Sequence, residues 1–329
     1  IVVGQVLEGG HVGSLLQPDV AQYEVAPWPE RIFNGRYPSS ARREDRKSIP
    51  RTYGTELQTV MSALNDMQQK RVAWDCGTTG LGVLVSDSLM FQRGDPRPGD
   101  PHLSEVYGLA LPLLKRGLPV TPVQLENVTV PRYLAEFRVL LLTYQGMKPL
   151  TPEVHAALAD WVKRGGVLVV CDDDSDPYHA VREWWNSEGR HYATPRGHLF
   201  EQLGFRASDP EATAASPVSW RHGSGSVFWL KANPVQLAAN AAGDARVADL
   251  AKQAAKRAKL DWRETNYLLL RRGPYVVAAG LDESTANAPK QLHGRFVNLF
   301  DPELQVQRAI ELKPGSRFFL LDLEKARGL

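Results

Sequence analysis

RVLLLTYQGMKPLTPEVHAALADWVKRGGVLVVCDDDSD, residues 138–176, decides the fold. Its opening run, RVLLLTY (138–144), is too short to cross a bilayer and rich enough in Leu and Val to form a strand buried on both faces. A turn follows at Gln145-Gly146-Met147-Lys148-Pro149. Thr151 is the predicted N-cap, with Pro152 at the first helical position. Val154, Leu158, Trp161 and Val162 then recur at helical spacing until Gly165-Gly166 stops the helix. A second strand, VLVVC (167–171), emerges directly. Strand, capped amphipathic helix, glycine stop and strand make a βαβ unit with parallel strands and a right-handed crossover. The acidic loop Asp172-Asp173-Asp174-Ser175-Asp176 falls at the carboxyl end of the second strand, where open α/β sheets place their ligands.

Further α/β pattern surrounds this unit. Leu81-Gly82-Val83-Leu84-Val85-Ser86 reads as a first strand, followed by a helix through Val106, Leu109, Ala110, Leu113 and Leu114 that Gly117 stops. Pro119-Val120-Thr121-Pro122-Val123 reads as an edge strand, because its prolines cannot donate to a ladder on both sides. Residues 177–223 look irregular apart from a short helix near His198 to Leu203, and Gly225–Leu230 reads as the last strand of the region. From 234 to 262 the pattern is helical, with Val247, Leu250, Ala251 and Ala254 on one face and a solvated basic face opposite. Beyond Trp262 it turns extended: a hairpin flanks Arg271-Arg272-Gly273-Pro274, and strands follow at 294–300, 304–312 and 317–323. Nearer the start, Val20–Val25 is a strand closed by Ala26-Pro27-Trp28-Pro29, and Asn34 to Tyr53 is a polar loop. A helix follows with Leu57, Val60, Met61 and Leu64 on one face.

Length and composition bound the partners. A chain of 329 residues exceeds one ordinary core. The 39 basic residues are dispersed among 37 acidic ones, which argues against nucleic acid or an anionic membrane, and no apolar run is long enough to span a bilayer. Cys76 and Cys171 make neither a disulfide framework nor a zinc site, and two buried thiols are expected over a bridge. The chain begins at Ile1-Val2-Val3 in mid-pattern, from which a missing amino-terminal part is expected.

The residues Tyr23-Glu24-Val25-Ala26-Pro27-Trp28-Pro29-Glu30-Arg31-Ile32-Phe33, GVLVSDSLMF (82–91), RVLLLTY (138–144), WVKRGGVLVV (161–170) and FVNLFDPEL (296–304) carry a resemblance to the carboxyl half of family 42 glycoside hydrolases, the bacterial β-galactosidases. The resemblance implies residues 1–80 as the incomplete end of a (β/α) barrel. It implies 81–232 as a flavodoxin-like, class I glutamine amidotransferase-like α/β domain used for trimerisation, 233–262 as a helical connector and 263–329 as a small β-sandwich-like domain. It also implies a carbohydrate substrate, a homo-oligomer and no cofactor. Glu24 then falls where the family places its nucleophile, at a strand's carboxyl end on the catalytic face of the barrel. Retaining hydrolysis needs a second carboxyl group about 5 Å away, which the family takes from an earlier strand lying before Ile1.

Each candidate also has a plainer reading. Glu24 is also describable as a strand-end glutamate paired with Arg31 or Arg36. Trp28 suits stacking on a sugar or packing under the 34–53 loop, and Asp75 suits substrate binding at a strand end or capping a turn. Cys171 ends the strand on which class I glutamine amidotransferases carry their nucleophile. Their elbow, Cys-x-Gly-x-Gln, is here Cys171-Asp172-Asp173-Asp174-Ser175, without the glycine and with acids that raise a thiol pKa. Cys171 is therefore rejected as a nucleophile. Asp172, Asp174 and Asp176 are a candidate metal set, against a cap for a helix starting near Tyr178. Trp184-Trp185 reads as interface or core.

Overall fold

A computed structural model describes residues 36–37, 47–48, 59, 61, 63, 72–91, 104–206, 208–282, 287–301 and 303–326. In chain order the strands are β1 (Arg36–Tyr37), β2 (Lys47–Ser48), β3 (Val72–Trp74), β4 (Leu81–Val85), β5 (Val120–Gln124), β6 (Val139–Leu142) and β7 (Val167–Cys171). They continue as β8 (Val218–His222), β9 (Gly225–Leu230), β10 (Tyr267–Arg272), β11 (Tyr275–Gly280), β12 (Lys290–Asn298), β13 (Val306–Leu312) and β14 (Arg317–Asp322). The α-helices are α1 (Ser88–Phe91), α2 (Ser104–Leu114), α3 (Glu153–Lys163), α4 (Pro195–Gln202), α5 (Pro234–Ala238), α6 (Ala241–Arg257) and α7 (Leu323–Ala326). No described helix is long and apolar enough to cross a membrane. The chain forms two compact units, one from Cys76 to Thr265 and one that joins the segment ending at Asp75 to the segments after Asn266.

The first unit holds a six-stranded sheet in the order β5-β4-β6-β7-β9-β8. All its neighbours pair in parallel except β8 and β9, an antiparallel hairpin. Counting the parallel strands alone, the order is second, first, third, fourth, fifth, which is the flavodoxin-like arrangement expected. Proline-bearing β5 lies at the edge, consistent with the N–H missing at Pro122.

Side chains alternate cleanly between two cores. Leu84, Leu140, Leu142, Leu168, Val170, Val227 and Trp229 enter one, covered by Val154, Leu158, Trp161 and Val162 of α3 and by Leu199 and Phe200 of α4. Leu81, Val83, Val139, Leu141, Val169, Cys171 and Phe228 enter the other, under Leu109 and Leu113 of α2 and Val247, Leu250, Ala251 and Ala254 of α6. A sheet covered on both faces buries every residue of a strand, which is why β6 and β7 read as unbroken apolar runs. Helix α3 starts at Glu153 with Pro152 at the cap and no side-chain capping bond, so the predicted Thr151 cap is displaced by one residue. The expected single helix from 234 is two, α5 and α6, because Asn240 caps a new start by accepting from Gly243 N–H.

Among the described residues, the main sheet of the second unit is antiparallel, in the order β13-β12-β14-β11-β10-β3. The strands β10 to β14, expected from the resemblance as a small β-sandwich-like domain, all lie in this sheet. Its core gathers Tyr275, Leu299, Phe319 and Ala63. The β10–β11 hairpin closes through Gly273-Pro274, and Gly273 takes the positive φ of 59° that the first position of a type II′ turn demands. Among the helical positions near residue 60, Ala63 is buried while Met61 is 44% exposed, which reverses Met61's predicted inward face. Strands β1 and β2 form a separate two-stranded ladder.

Candidate functional site

In a sheet of this order the crevice lies outside the carboxyl ends of β4 and β6, where the strand order reverses. Here that crevice is closed by the chain's own groups. Ser86 Oγ lies 2.9 Å from Ser88 Oγ, 2.6 Å from a Glu126 oxygen and 2.8 Å from the Lys148 carbonyl. Lys148 N–H donates to Ser88 Oγ at 2.6 Å. The 145–149 loop is thereby tied down over the end of β4, and the polar groups there are mutually satisfied.

One strand further along, the acidic loop organises a buried polar cluster. Asp172, fully buried, accepts from Tyr144 N–H (2.8 Å) through Oδ2 and from Asp174 N–H (2.8 Å) and Gln145 Nε2 (3.2 Å) through Oδ1. Burial is the main cause that pushes its carboxyl up to about 6, against the pull of its backbone donors. Asp174 sits at φ 62° and forms a two-point ion pair with Arg196, one arm at 3.0 Å from Nε. Asp176 accepts from Lys148 Nζ (2.6 Å), Gly146 N–H (2.8 Å) and Tyr178 N–H (2.9 Å). The last bond caps the 3₁₀ turn Pro177–Ala180, the capping role foreseen for it. Burial raises the Asp176 carboxyl, but Lys148 and the two N–H donors outweigh that and hold it below the usual value.

The donor that joins Asp172 and Asp174 is His179, not Asp176: one ligand atom from each of these three lies within 4.8 Å of the others. Both ring nitrogens of His179 are buried and without a hydrogen-bond partner. Burial, then the nearby Lys148 charge, lowers its pKa to about 4.

A second chain of contacts runs beneath α3. Tyr144 Oη is 2.6 Å from His155 Nε2, and His155 Nδ1 is 2.8 Å from His198 Nδ1. Burial, then the Asp172 charge, pushes the tyrosine hydroxyl well above its ordinary value, so it is a neutral donor. With the Tyr144 hydroxyl donating to His155 Nε2, His155 Nδ1–H donates to Nδ1 of a neutral His198. Burial accordingly holds both histidines below the usual range, the further lowering coming from His198 at His155 and from Arg190 at His198. Trp184 meets both imidazoles edge-on, with centroids 5.3 and 5.1 Å away, and Trp185 is buried. The tryptophan pair is packing within the unit.

Glu24 and Trp28 lie outside the described residues. Asp75 is exposed and follows β3, which pairs antiparallel with β10; its backbone N–H donates to Leu269 O at 3.0 Å. Cys171 is fully buried, and burial, with the Asp172 charge added, pushes its thiol up to about 12. It points into the core under α6, whereas His198 belongs to α4 on the opposite face of the sheet, so no Cys–His pair forms between them. No disulfide joins Cys76 and Cys171, and both are buried, as expected. Sequence reasoning missed Lys148, His155, His179 and Arg196. Each acquires its partner through pairing between distant segments, and only Lys148, four residues past Tyr144 in a strand-end turn, stood where a ligand-face residue is sought.

A surface depression of about 420 Å³ lies beside Arg196, Phe200, Glu201, Phe205, Glu211 and Trp229. The Arg196 guanidinium covers the Phe200 and Trp229 rings, at 4.7 and 4.3 Å from their centroids, and so removes them as stacking platforms for a sugar.

No family model matches the chain, and no curated protein matches it. Several solved structures align with the chain at low identity. A β-galactosidase from Bacillus circulans sp. alkalophilus aligns at 11% identity and TM-score 0.45, over 81% of this chain and 43% of its own. A catalytic mutant of Gan42B, a GH42 β-galactosidase from G. stearothermophilus, aligns at 12% and 0.44, over 82% and 42%. The cold-adapted β-galactosidase from Rahnella sp. R3 aligns at 13% and 0.41, over 80% and 43%. The chain thus spans about two fifths of the length of these proteins, and the likeness assigns no residue a role.

Proposed function

We propose that this chain is the carboxyl-terminal portion of a glycoside hydrolase that acts on β-galactoside-like sugars by a retaining two-carboxylate mechanism. In this reading the α/β unit is an oligomerisation scaffold and takes no part in the chemistry. Glu24 is the nucleophile, Trp28 and Asp75 contact the sugar, and the acid that protonates the leaving oxygen comes from a barrel strand outside residues 1–329.

The observation that supports this reading best is the state of Cys171, which ends the strand where an amidotransferase carries its nucleophile. A flavodoxin-like sheet presents Cys171 at the strand end where an amidotransferase would act, yet the thiol is sealed in the α6 core, and His198 of α4 lies on the opposite face of the sheet. The crevice beside it is filled by Ser86, Ser88, Glu126 and the 145–149 loop. A unit that keeps such a sheet while closing its reactive face is suited to assembly.

The test uses the complete gene product and an aryl β-galactoside. Glu24→Gln abolishes turnover and Cys171→Ser leaves it unchanged. Residues 1–329 alone show no turnover and run in light scattering as a homo-oligomer, a trimer on the family resemblance. Activity that survives Glu24→Gln would remove Glu24 as the nucleophile, and no turnover by the complete gene product would replace this reading with a non-catalytic carbohydrate-binding or assembly module. Hydrolysis of glutamine or another amide that is lost in Cys171→Ser would restore amidase chemistry.

A further inference from the structure

The geometry points to a divalent-cation site at Asp172, Asp174 and His179, with Zn²⁺ the favoured ion; it is independent of the glycosidase reading. Two separate observations converge. The first is the donor set: two carboxylates and one imidazole, from the end of β7 and the 3₁₀ turn after it, present ligand atoms within 4.8 Å of one another. The second is the His179 ring, 5% exposed, whose Nδ1 and Nε2 have no partner. Buried polar atoms in folded proteins are rarely left so, and an orphan imidazole facing two carboxylates is the arrangement a metal completes.

Charge favours a cation over a neutral bridge. Lys148 is matched by Asp176, and Arg196 is matched by Asp174. Asp172 is left as a fully buried carboxylate whose hydrogen bonds all come from neutral donors. Capacity for a ligand bond remains on both acids. Asp172 Oδ2 accepts one hydrogen bond, and each oxygen of Asp174 accepts one arm of Arg196, whereas a carboxylate oxygen has two lone pairs.

The backbone of His179 is already fixed. Its N–H donates to Asp176 O at 3.1 Å, and its carbonyl accepts from Trp185 Nε1 at 3.1 Å. Tetrahedral metal–ligand bonds of about 2.0–2.2 Å set ligand atoms roughly 3.4 Å apart, so atoms that now lie within 4.8 Å of one another draw together by up to about 1.4 Å on binding. A set of one imidazole and two carboxylates suits Zn²⁺ or Mn²⁺ over Ca²⁺, and Zn²⁺ binds the same donors more tightly than Mn²⁺.

The full chain, stripped with EDTA and dialysed, is titrated calorimetrically with ZnCl₂, MnCl₂ and CaCl₂. One Zn²⁺ binds per chain, more tightly than Mn²⁺, and the melting temperature rises with it. His179→Gln weakens Zn²⁺ binding by at least ~10-fold, and Asp174→Asn does likewise. Circular dichroism and melting in EDTA establish that each variant is folded. If neither folds, long-range ¹H–¹⁵N spectra of the wild-type histidine rings decide: a Zn²⁺-dependent shift of a buried ring nitrogen supports the site. Absence of stoichiometric Zn²⁺ binding, equal binding by His179→Gln, or buried rings unmoved by Zn²⁺ would overturn it.

Discussion

At the scale of single residues, burial sets the chemistry of this chain more than charge does. With its thiol near 12, Cys171 is ionised in roughly one molecule in 10⁴ at pH 8, and it is also out of reach of solvent. Native protein therefore consumes no thiol reagent at Cys171 over hours, and unfolded protein consumes two equivalents; rapid native labelling mapped to Cys171 would sink this. The Tyr144–His155–His198 chain gives a pH prediction. The folded pKa of His155 lies below 6.5 and its unfolded value near 6.5, so the unfolded chain binds the proton first. The stability that the neutral chain contributes is complete above pH 6.5 and is lost as pH falls through the folded value. Urea midpoints decline from pH 6.5 downward. His155→Phe costs about 1–3 kcal/mol at pH 7.5, by orphaning the Tyr144 hydroxyl, and flattens the acid decline. An equally steep decline in the variant would show that other groups carry it.

At the scale of elements, two loops and one helix end hold the α/β unit in register. The buried Lys148–Asp176 pair ties the loop after β6 to the loop after β7. Lys148→Met leaves Asp176 buried with only its N–H donors, at a cost of about 3 kcal/mol in urea unfolding, the low end for breaking a buried pair. A change below about 0.5 kcal/mol would mean that the two N–H donors suffice. At the start of β9, a Cβ on Gly225 would lie against the backbone oxygens of Val162 and Gly166, closer than any real Cβ sits. Gly225→Ala therefore forces α3 away from the sheet and lowers stability by about 3 kcal/mol. These elements differ in how far the sequence reveals them. β6, α3 and β7 are legible because local periodicity and glycine stops agree with the fold, and β5 announces its edge position through Pro119 and Pro122. β8 was hidden, since Val218–His222 alternates around one tryptophan in a polar stretch and becomes a strand only by pairing with β9. The union of His179 with Asp172 and Asp174 was equally hidden, because a 3₁₀ turn capped by Asp176 is what turns the ring back.

At the scale of the whole molecule, the two units draw on the chain in different ways. The α/β unit takes its sheet, both covering helix layers and both cores from one continuous segment, Cys76 to Thr265. The antiparallel unit is discontinuous: β3 precedes the α/β segment, yet pairs with β10 in the register Trp74 to Leu270, Ala73 to Arg271 and Val72 to Arg272. Local contacts form cheaply, whereas closing a chain loop of this length carries an entropic cost that only the completed sheet offsets. The α/β segment is therefore predicted to fold when expressed as residues 76–265. It unfolds in urea as a single transition with a slope of about 2–3 kcal/mol per molar, and its α-helical circular dichroism is retained. Residues 266–329 alone lose β3 and expose the edge of β10 that β3 pairs with, so they are expected to melt lower than the same residues in the full chain or to aggregate through that edge. Comparing urea curves of 76–265, of 266–329 and of 1–329 tests both halves. A 76–265 fragment without a cooperative transition would show that the α/β core depends on the remainder of the chain. A 266–329 fragment as stable as the full chain would show that β3 contributes pairing without stability.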